Sequence, residues 1–255
     1  MNINRLLIDR LRYIYHKRKA QKSKWNSFKA DFKSYRQLDS SQRFELNWSE
    51  INPWLDDKTE ETYFDGHYTY HPAWAARVVK KIAPKVHIDI SSTLHFCSVV
   101  SAFQPVEFYD YRPAQIILDG LITGKADLTH LHFESDSLMS VSCMHTLEHI
   151  GLGRYGDRID PDGDLKAISE LKRVVAPGGD LIIVVPVGQP RLAFNAHRIY
   201  SYQQICEAFS PFRLEEFSLV PDDYLQRGMI LHAVKADADR QQWGCGCFWF
   251  KKSKI

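Results

Sequence analysis

Three side chains able to move protons fall within five positions in His145-Thr-Leu-Glu148-His149. An imidazole has an unperturbed pKa of about 6.5, so His149 could take a proton from an alcohol at neutral pH. Glu148 beside it could orient that ring or bind a metal. The same five residues spell HxxEH, a zinc-peptidase pattern, but that chemistry needs both histidines on one face of a full helix. Gly151 and Gly153 leave barely one helical turn, so the peptidase reading is set aside and no metal ligand is assigned. Plain packing of His149 in a turn stays open beside the catalytic reading.

Gly151-Leu-Gly153-Arg-Tyr-Gly156 spells GxGxxG, yet it should open a helix straight after a strand, and here it leads into Asp-Arg-Ile-Asp-Pro. A dinucleotide loop is therefore not expected. The glycines could still present backbone N–H groups to an anionic or hydroxylated ligand. Asp157, Asp160, Asp162 and Asp164 lack the spacing and the sixth-position glycine of an EF-hand. Asp162 or Asp164 is expected to cap the next helix, with Asp157 and Asp160 free to face a pocket.

These residues need elements to hold them. Met139–Met144 reads as a short buried strand. Leu165, Ile168, Leu171, Val174 and Val175 recur at helical spacing among charged residues, predicting a helix over 164–175 that Pro177-Gly178-Gly179 stops. Leu181–Val185 is the next buried strand. Strand, crossover helix, strand is a right-handed βαβ unit, and ligands of such sheets bind at the carboxyl ends of the strands. Upstream, Val86–Ile90 and Val106–Tyr111 read as strands, and Gly124–Asp127 closes a third. Asp110 follows Asp89 by 21 residues, the spacing of the acid that accepts ribose hydroxyls in nucleotide-binding α/β folds. Phe212–Val220 and Met229–Lys235 are expected as the last two strands.

The run Leu147-Glu-His-Ile150, the helix ending in Ala-Pro-Gly-Gly, and the strand ending in Val-Pro resemble the fourth and fifth strand region of class I S-adenosylmethionine (SAM) methyltransferases. LEHIGLGRYGDRIDPDGDLKAI and FNAHRIYS resemble, more narrowly, an uncharacterised methyltransferase-like family with a Gly-Leu-Gly-Arg-Tyr-Gly-Asp signature. Arg158 stands where that signature has proline. The resemblance spans about residues 63–235. It implies a Rossmann-like three-layer α/β sandwich with a seven-stranded, mostly parallel sheet whose last strand is antiparallel. It also implies SAM as cofactor, with Asp89, Ser91, Asp110, Asp127 and His145 among its contacts and Asp127 near the adenine amino group.

The implied activity is methyl transfer to an oxygen of a small or saccharide-like acceptor. Glu148, His149, Asp160 and His197 are the catalytic candidates, and Tyr68, Tyr70 and His71 could face cofactor or acceptor. The family's first loop carries Asp/Glu-x-Gly-x-Gly, whereas Asp89-Ile-Ser-Ser-Thr-Leu-His95 has no glycine, so each added Cβ takes space from a ligand. The alternative is a non-catalytic scaffold of the same fold that binds a partner. Related O-methyltransferases of quinone synthesis carry Glu-x-x-Glu-His at this point and bind a divalent ion. His145 replaces the first acid, which weakens a hard-cation site and disfavours a metal role.

The 255 residues are 44% hydrophobic and 25% charged, ordinary for a globular protein with one large domain and an extension. No apolar run approaches a membrane span, and no apolar core of a signal peptide is present. Five cysteines, several inside apolar patterns, suit reduced thiols, so a cytoplasmic protein is expected. The net charge of +2 conceals an asymmetry: residues 1–24 hold eight Lys/Arg against Asp9 alone, and the remainder is mildly acidic. Ile3, Leu6, Leu7, Leu11, Ile14 and Tyr15 fall at helical spacing there. That basic amphipathic helix either packs on its own domain or docks on an anionic membrane face or a protein; nucleic acid is not expected. Residues 1–62 are taken as this extension, with 25–62 a lid or a linker. Residues 63–240 are the α/β domain. Residues 241–255, with Cys245-Gly-Cys247, are a tail, since Cys-x-Cys lacks the second ligand pair of a zinc site.

Overall fold

A computed structural model describes residues 3–254, without the side chains of residues 3–9 and 11. The chain divides into two compact units, 1–64 and 65–255.

In the first unit a 36-residue helix, α1 (Ile3–Leu38), is followed by irregular chain with one short turn of helix at Trp48–Glu50. Trp25, Phe28 and Phe32 lie on one face, three to four residues apart, and Trp48 packs on all three with ring centroids 4.8–6.4 Å away. Lys24 pairs with Asp56 and Lys58 with Asp31. The described basic side chains from Arg10 to Lys24 are all exposed. Of the expected apolar face, Ile14 is half-buried and Tyr15 exposed, while Ile3, Leu6, Leu7 and Leu11 lie outside the described side chains. No helix among the described residues is long and apolar enough to cross a membrane.

The second unit runs α2 (Gly66–Ile82), β1 (His87–Ile90), α3 (Leu94–Val100), β2 (Val106–Asp110), β3 (Leu121–Lys125) and β4 (Leu138–Met144). It continues with α4 (Gly163–Val174), β5 (Val175–Val187), β6 (Arg191–Ala193), β7 (His197–Ile199) and α5 (Tyr202–Ala208). The last elements are β8 (Arg213–Val220), α6 (Tyr224–Arg227), α7 (Lys235–Asp239) and β9 (Gly244–Lys251). Seven strands form one sheet in the order β3-β2-β1-β4-β5-β9-β8, and β6 and β7 form a separate hairpin. β1 to β5 are parallel, and β9 runs antiparallel between β5 and β8. This is the expected sheet, with the last strand reversed.

The period-two alternation of strands divides the core in two. Leu181, Ile183 and Val185 of β5 and Phe248 and Phe250 of β9 pack beneath α4 and α5 with Leu171 and Phe209. Ile182 and Val184, with Cys245, Cys247 and Trp249, face the opposite way, toward Trp74, Val78 and Val79 of α2 and Phe96 of α3.

Several expectations are corrected. The expected tail is β9, hydrogen-bonded on both sides, and Met229–Lys235 is no strand: Ile230 alone bridges to Leu219. β9 runs from small residues (Gly244 to Cys247) into three aromatics (Phe248 to Phe250), and it fits between two strands because Gly244 and Gly246 let neighbouring chains close in. A Cβ on Gly246 would stand 2.5 Å from a methyl of Val187. Pro177-Gly-Gly does not follow the helix as a free stop. It lies inside β5 as an irregularity opposite Leu138–Ser140, with Gly178 at φ +79°. Leu165 is exposed rather than part of the buried face of α4. Neither Asp162 nor Asp164 caps that helix through its side chain. Asp164 is buried instead, accepting from Tyr200 Oη at 2.8 Å with Arg198 Nε 3.5 Å away.

Candidate functional site

Parallel strands end together, so the loops after β1, β2 and β4 meet at one edge of the sheet. A cavity of about 510 Å³ opens there, lined by Ser91, Asp110, Asp127, His145, Thr146 and His149 among others, with the signature loop from Ile150 to Asp160 as its far wall.

Asp110 ends β2, and its Oδ1 accepts the Arg112 backbone N–H at 2.6 Å. Asp127 follows β3, and its Oδ1 accepts from Thr129 N and Oγ1 at 2.9 and 2.7 Å. Among the described residues neither Oδ2 has a hydrogen-bond partner, so each aspartate is pinned by one oxygen, and both residues line the cavity. Ser91 takes φ +61°, the left-handed region a glycine would occupy at no cost. It is held there by its N–H to Tyr109 O at 2.7 Å and by Thr146 Oγ1 donating to its carbonyl at 2.7 Å. The tight first turn thus forms without glycine, through neighbouring hydrogen bonds.

Asp89 is placed elsewhere. It is fully buried and absent from the cavity lining, accepting from Ser92 N at 3.0 Å and from Ser142 Oγ. Ser142 also bonds His87 Nε2, and Ser140 bonds His87 Nδ1, each at 2.8 Å. Burial pushes the Asp89 carboxyl up to about 6, opposed by those hydrogen bonds, and pushes the His87 imidazole down to about 3. Asp89 therefore braces the first loop from beneath and is corrected from contact to support.

Leu147–His149 forms a single short helical turn, too short for the HxxEH zinc arrangement. Glu148, 1% exposed, sits between two imidazoles: its Oε1 is 2.8 Å from His145 Nδ1 and 3.9 Å from His149 Nε2, and its Oε2 has no partner. It orients rings and does not line the cavity. Burial opposes charge on His145, but Cys245 and the Glu148 carboxylate override it and raise the pKa to about 10. His149 donates from Nδ1 to Ala196 O at 2.6 Å, which leaves the Nε2 lone pair as proton acceptor. Burial lowers its pKa below 6.5, partly countered by Glu148. A neutral, tautomer-fixed imidazole at a cavity wall can serve as a base.

His197 lies on β7, its ring 6.5 Å from His149 and stacked at 5.5 Å on Trp243. It is outside the cavity lining, and burial lowers its pKa as well. Asp160 lines the cavity, but Lys166 Nζ holds its Oδ2 at 2.5 Å and keeps its pKa below the usual range, so it is the poorer base. The glycine-loop amides are already engaged: Asp157 Oδ2 accepts from Gly151 N and Gly153 N at 2.9 and 3.2 Å, and Oδ1 from Tyr155 N at 3.1 Å. The anion this loop cradles is its own aspartate. Arg198 ties the loop to the FNAHRIYS segment through Ile150 O at 2.7 Å and Pro161 O at 3.1 Å.

Tyr155, Arg112 and Lys166 were not singled out from the sequence. Arg112 and Arg154 stack on the Tyr155 ring at 4.8 and 5.1 Å, joining the loop after β2 to the signature loop. The signal available was the Arg-Tyr pair inside the signature. Tyr68 and His71 pack on His145, with ring centroids 5.2 and 4.9 Å away, and Tyr70 packs on Tyr224; none of the three is in the cavity lining.

Residues 128–220, less than half the chain, match the model of a family described as a Caenorhabditis protein of unknown function, DUF268. No curated protein sequence matches. Among solved structures, the YcgJ protein of Bacillus subtilis superposes with a TM-score of 0.51 at 13% identity, covering 73% of this chain and 99% of that one. The Haloferax volcanii complex of the Trm112 methyltransferase activator with a candidate methyltransferase gives 0.51 at 15% identity, over 73% and 91% of the two chains. A candidate sarcosine dimethylglycine methyltransferase of Galdieria sulphuraria gives 0.50 at 11%, over 72% and 84%. At such identity the likeness shows the fold: this chain has the class I methyltransferase fold.

Proposed function

We propose that a chain with this fold binds SAM in the cavity at the strand ends and methylates an oxygen of a small, hydroxylated, saccharide-like acceptor. The observation that carries the reading is the pair Asp110 and Asp127, each fixed by one carboxylate oxygen and open at the other, on the wall of one cavity. An ionised carboxylate held this way suits ribose hydroxyls and an adenine amino group. When bound, SAM supplies a methyl group activated on a sulfonium sulfur. The chain's share of the work is alignment and proton handling. Ser91 and the braced first loop shape the floor, His149 Nε2 takes the acceptor proton, and Glu148 holds its neighbours in place. The polar far wall, with Asp157, Arg158 and Lys166, suits a hydroxylated acceptor better than an apolar one.

Calorimetry with SAM and with S-adenosylhomocysteine on the full chain tests the reading. Asp110→Ala is expected to weaken either ligand by about 1–3 kcal/mol, the cost of a charge-assisted bond and an unmet hydroxyl. Absence of binding by the wild-type chain at millimolar ligand would overturn the enzyme and leave the non-catalytic scaffold.

A further inference from the structure

On the face of the sheet covered by α2, residues distant in sequence bring metal-binding atoms together. His67 stands in the first turn of α2, where Asp65 caps the helix by accepting Tyr68 N at 3.0 Å. His145 follows β4, and Cys245 is the second residue of β9, fully buried. One donor atom from each of the three lies within 4.8 Å of the others, and His145 Nε2 is 3.4 Å from Cys245 Sγ. Two donors of a tetrahedral zinc ion, at Zn–N about 2.0–2.1 Å and Zn–S about 2.3 Å, stand about 3.3–3.7 Å apart. The nitrogen–sulfur pair therefore already has coordination spacing.

Two further features point to a cation. His145 Nδ1 is held at 2.8 Å by the buried Glu148, the carboxylate–imidazole arrangement that turns Nε2 toward a metal and raises its basicity. His71, one helical turn after His67, is 0% exposed. It donates from Nδ1 to His67 O at 2.6 Å, and its Nε2 has no partner. Its ring packs edge-on against His145 at 4.9 Å, so an unmet lone pair borders the cluster. Trp243 packs beside the group, its ring 5.1 Å from that of His67.

We propose that His67, His145 and Cys245 bind a zinc-type divalent ion, three protein ligands with one position left open. The ion replaces the proton shared between His145 Nε2 and Cys245 Sγ, which leaves to solvent, and no electron is transferred. Nitrogen and thiolate donors favour zinc over magnesium or calcium. The site joins α2 to the ends of β4 and β9, and His145 also lines the cavity, so the ion would stiffen one cavity wall. This inference stands whether or not SAM binds.

Chelator-treated full chain is titrated with cobalt(II) alone and then with zinc(II) alone, while the spectrum is followed. The expected result is one equivalent bound, with tetrahedral visible bands and a near-ultraviolet thiolate-to-cobalt band that zinc abolishes. Cys245→Ser should remove the thiolate band. His67→Gln, a change at a half-buried position that secures folding if the cysteine variant fails, should weaken zinc by about 100-fold or more. Glu148→Gln should weaken it about 10–100-fold. Cys206→Ser, on the other face of the sheet, should leave binding unchanged. Lack of a thiolate band in the wild-type chain, or zinc affinity unaltered in His67→Gln, overturns the site.

Discussion

The backbone N–H of Ser91 donates to the carbonyl of Tyr109 at 2.7 Å, so the first loop hangs on the second strand one residue before Asp110. Ser91 does this at φ +61°, where a Cβ costs about 1–2 kcal/mol. Ser91→Gly removes that cost, together with a weak Oγ contact to Tyr109 O at 3.3 Å, and adds unfolded-state entropy. Stability is expected to change by less than about 1 kcal/mol. With a Cβ gone from the cavity floor, SAM should bind about 2–10-fold more tightly by calorimetry, about 0.4–1.4 kcal/mol. Weaker binding would instead show that the serine hydroxyl itself meets the ligand.

His149 carries the proton-transfer argument. His149→Ala should lower turnover about 10²–10⁴-fold on any acceptor that the wild-type chain methylates, with SAM affinity changed less than tenfold. The base works in its neutral form, and burial places its pKa below 6.5. The acid limb of kcat/KM should therefore fall below pH 6.5 and vanish in the alanine variant. A packing role predicts the opposite pattern: a stability loss of about 1–3 kcal/mol and normal turnover by whatever folds.

Asp89 gives a pH signature of its own. Burial disfavours the charge and pushes its carboxyl from the ordinary 3.8 up to about 6 in the folded chain. Between those values the folded state holds the proton that the unfolded state has lost, so this group's contribution to stability falls as pH rises from about 4 to 6 and is level above. Asp89→Asn should remove that slope, gaining about 2–3 kcal/mol on the wild type across the window. Urea melts of both proteins at pH 4, 5, 6 and 7 read the difference. Parallel pH curves would contradict the buried, proton-hungry Asp89.

The basic arm is proposed as a docking element for anionic membranes. Deleting residues 1–24 should abolish flotation with vesicles containing anionic lipid, since each lysine or arginine near such a surface contributes about 1 kcal/mol. The expected urea melt of the 65–255 unit is unchanged. A lowered melt, with flotation retained, would mean that the helix serves packing.

Much of the α/β order is legible from the chain alone because its signals are local. Buried parallel strands read as short apolar runs, and β1, β2, β4 and β5 were found that way. The stripe of Ile168, Leu171 and Val174 marks α4, and Gly151 and Gly153 limit the Leu147–His149 segment to a single helical turn. The spacing of Asp89, Asp110 and Asp127 placed three acids at strand ends, two of which reach the cavity.

Pairing and depth are not local, and they decided the rest. Gly-Cys-Gly-Cys-Phe-Trp-Phe has no strand signal strong enough to stand alone; it becomes β9 because β5 and β8 each satisfy one edge of its backbone. Asp89 and Asp110 look alike in sequence, yet the alternation of β1 turns Asp89 beneath the sheet toward Ser142. Cys-x-Cys has no further donors near it in sequence, whereas the fold brings donor atoms of His67 and His145 to within 4.8 Å of Cys245. The residue types and their order belong to the sequence. Which donors face one another depends on the strand order and on which face of the sheet each strand turns its side chains to, and only the folded chain settles that.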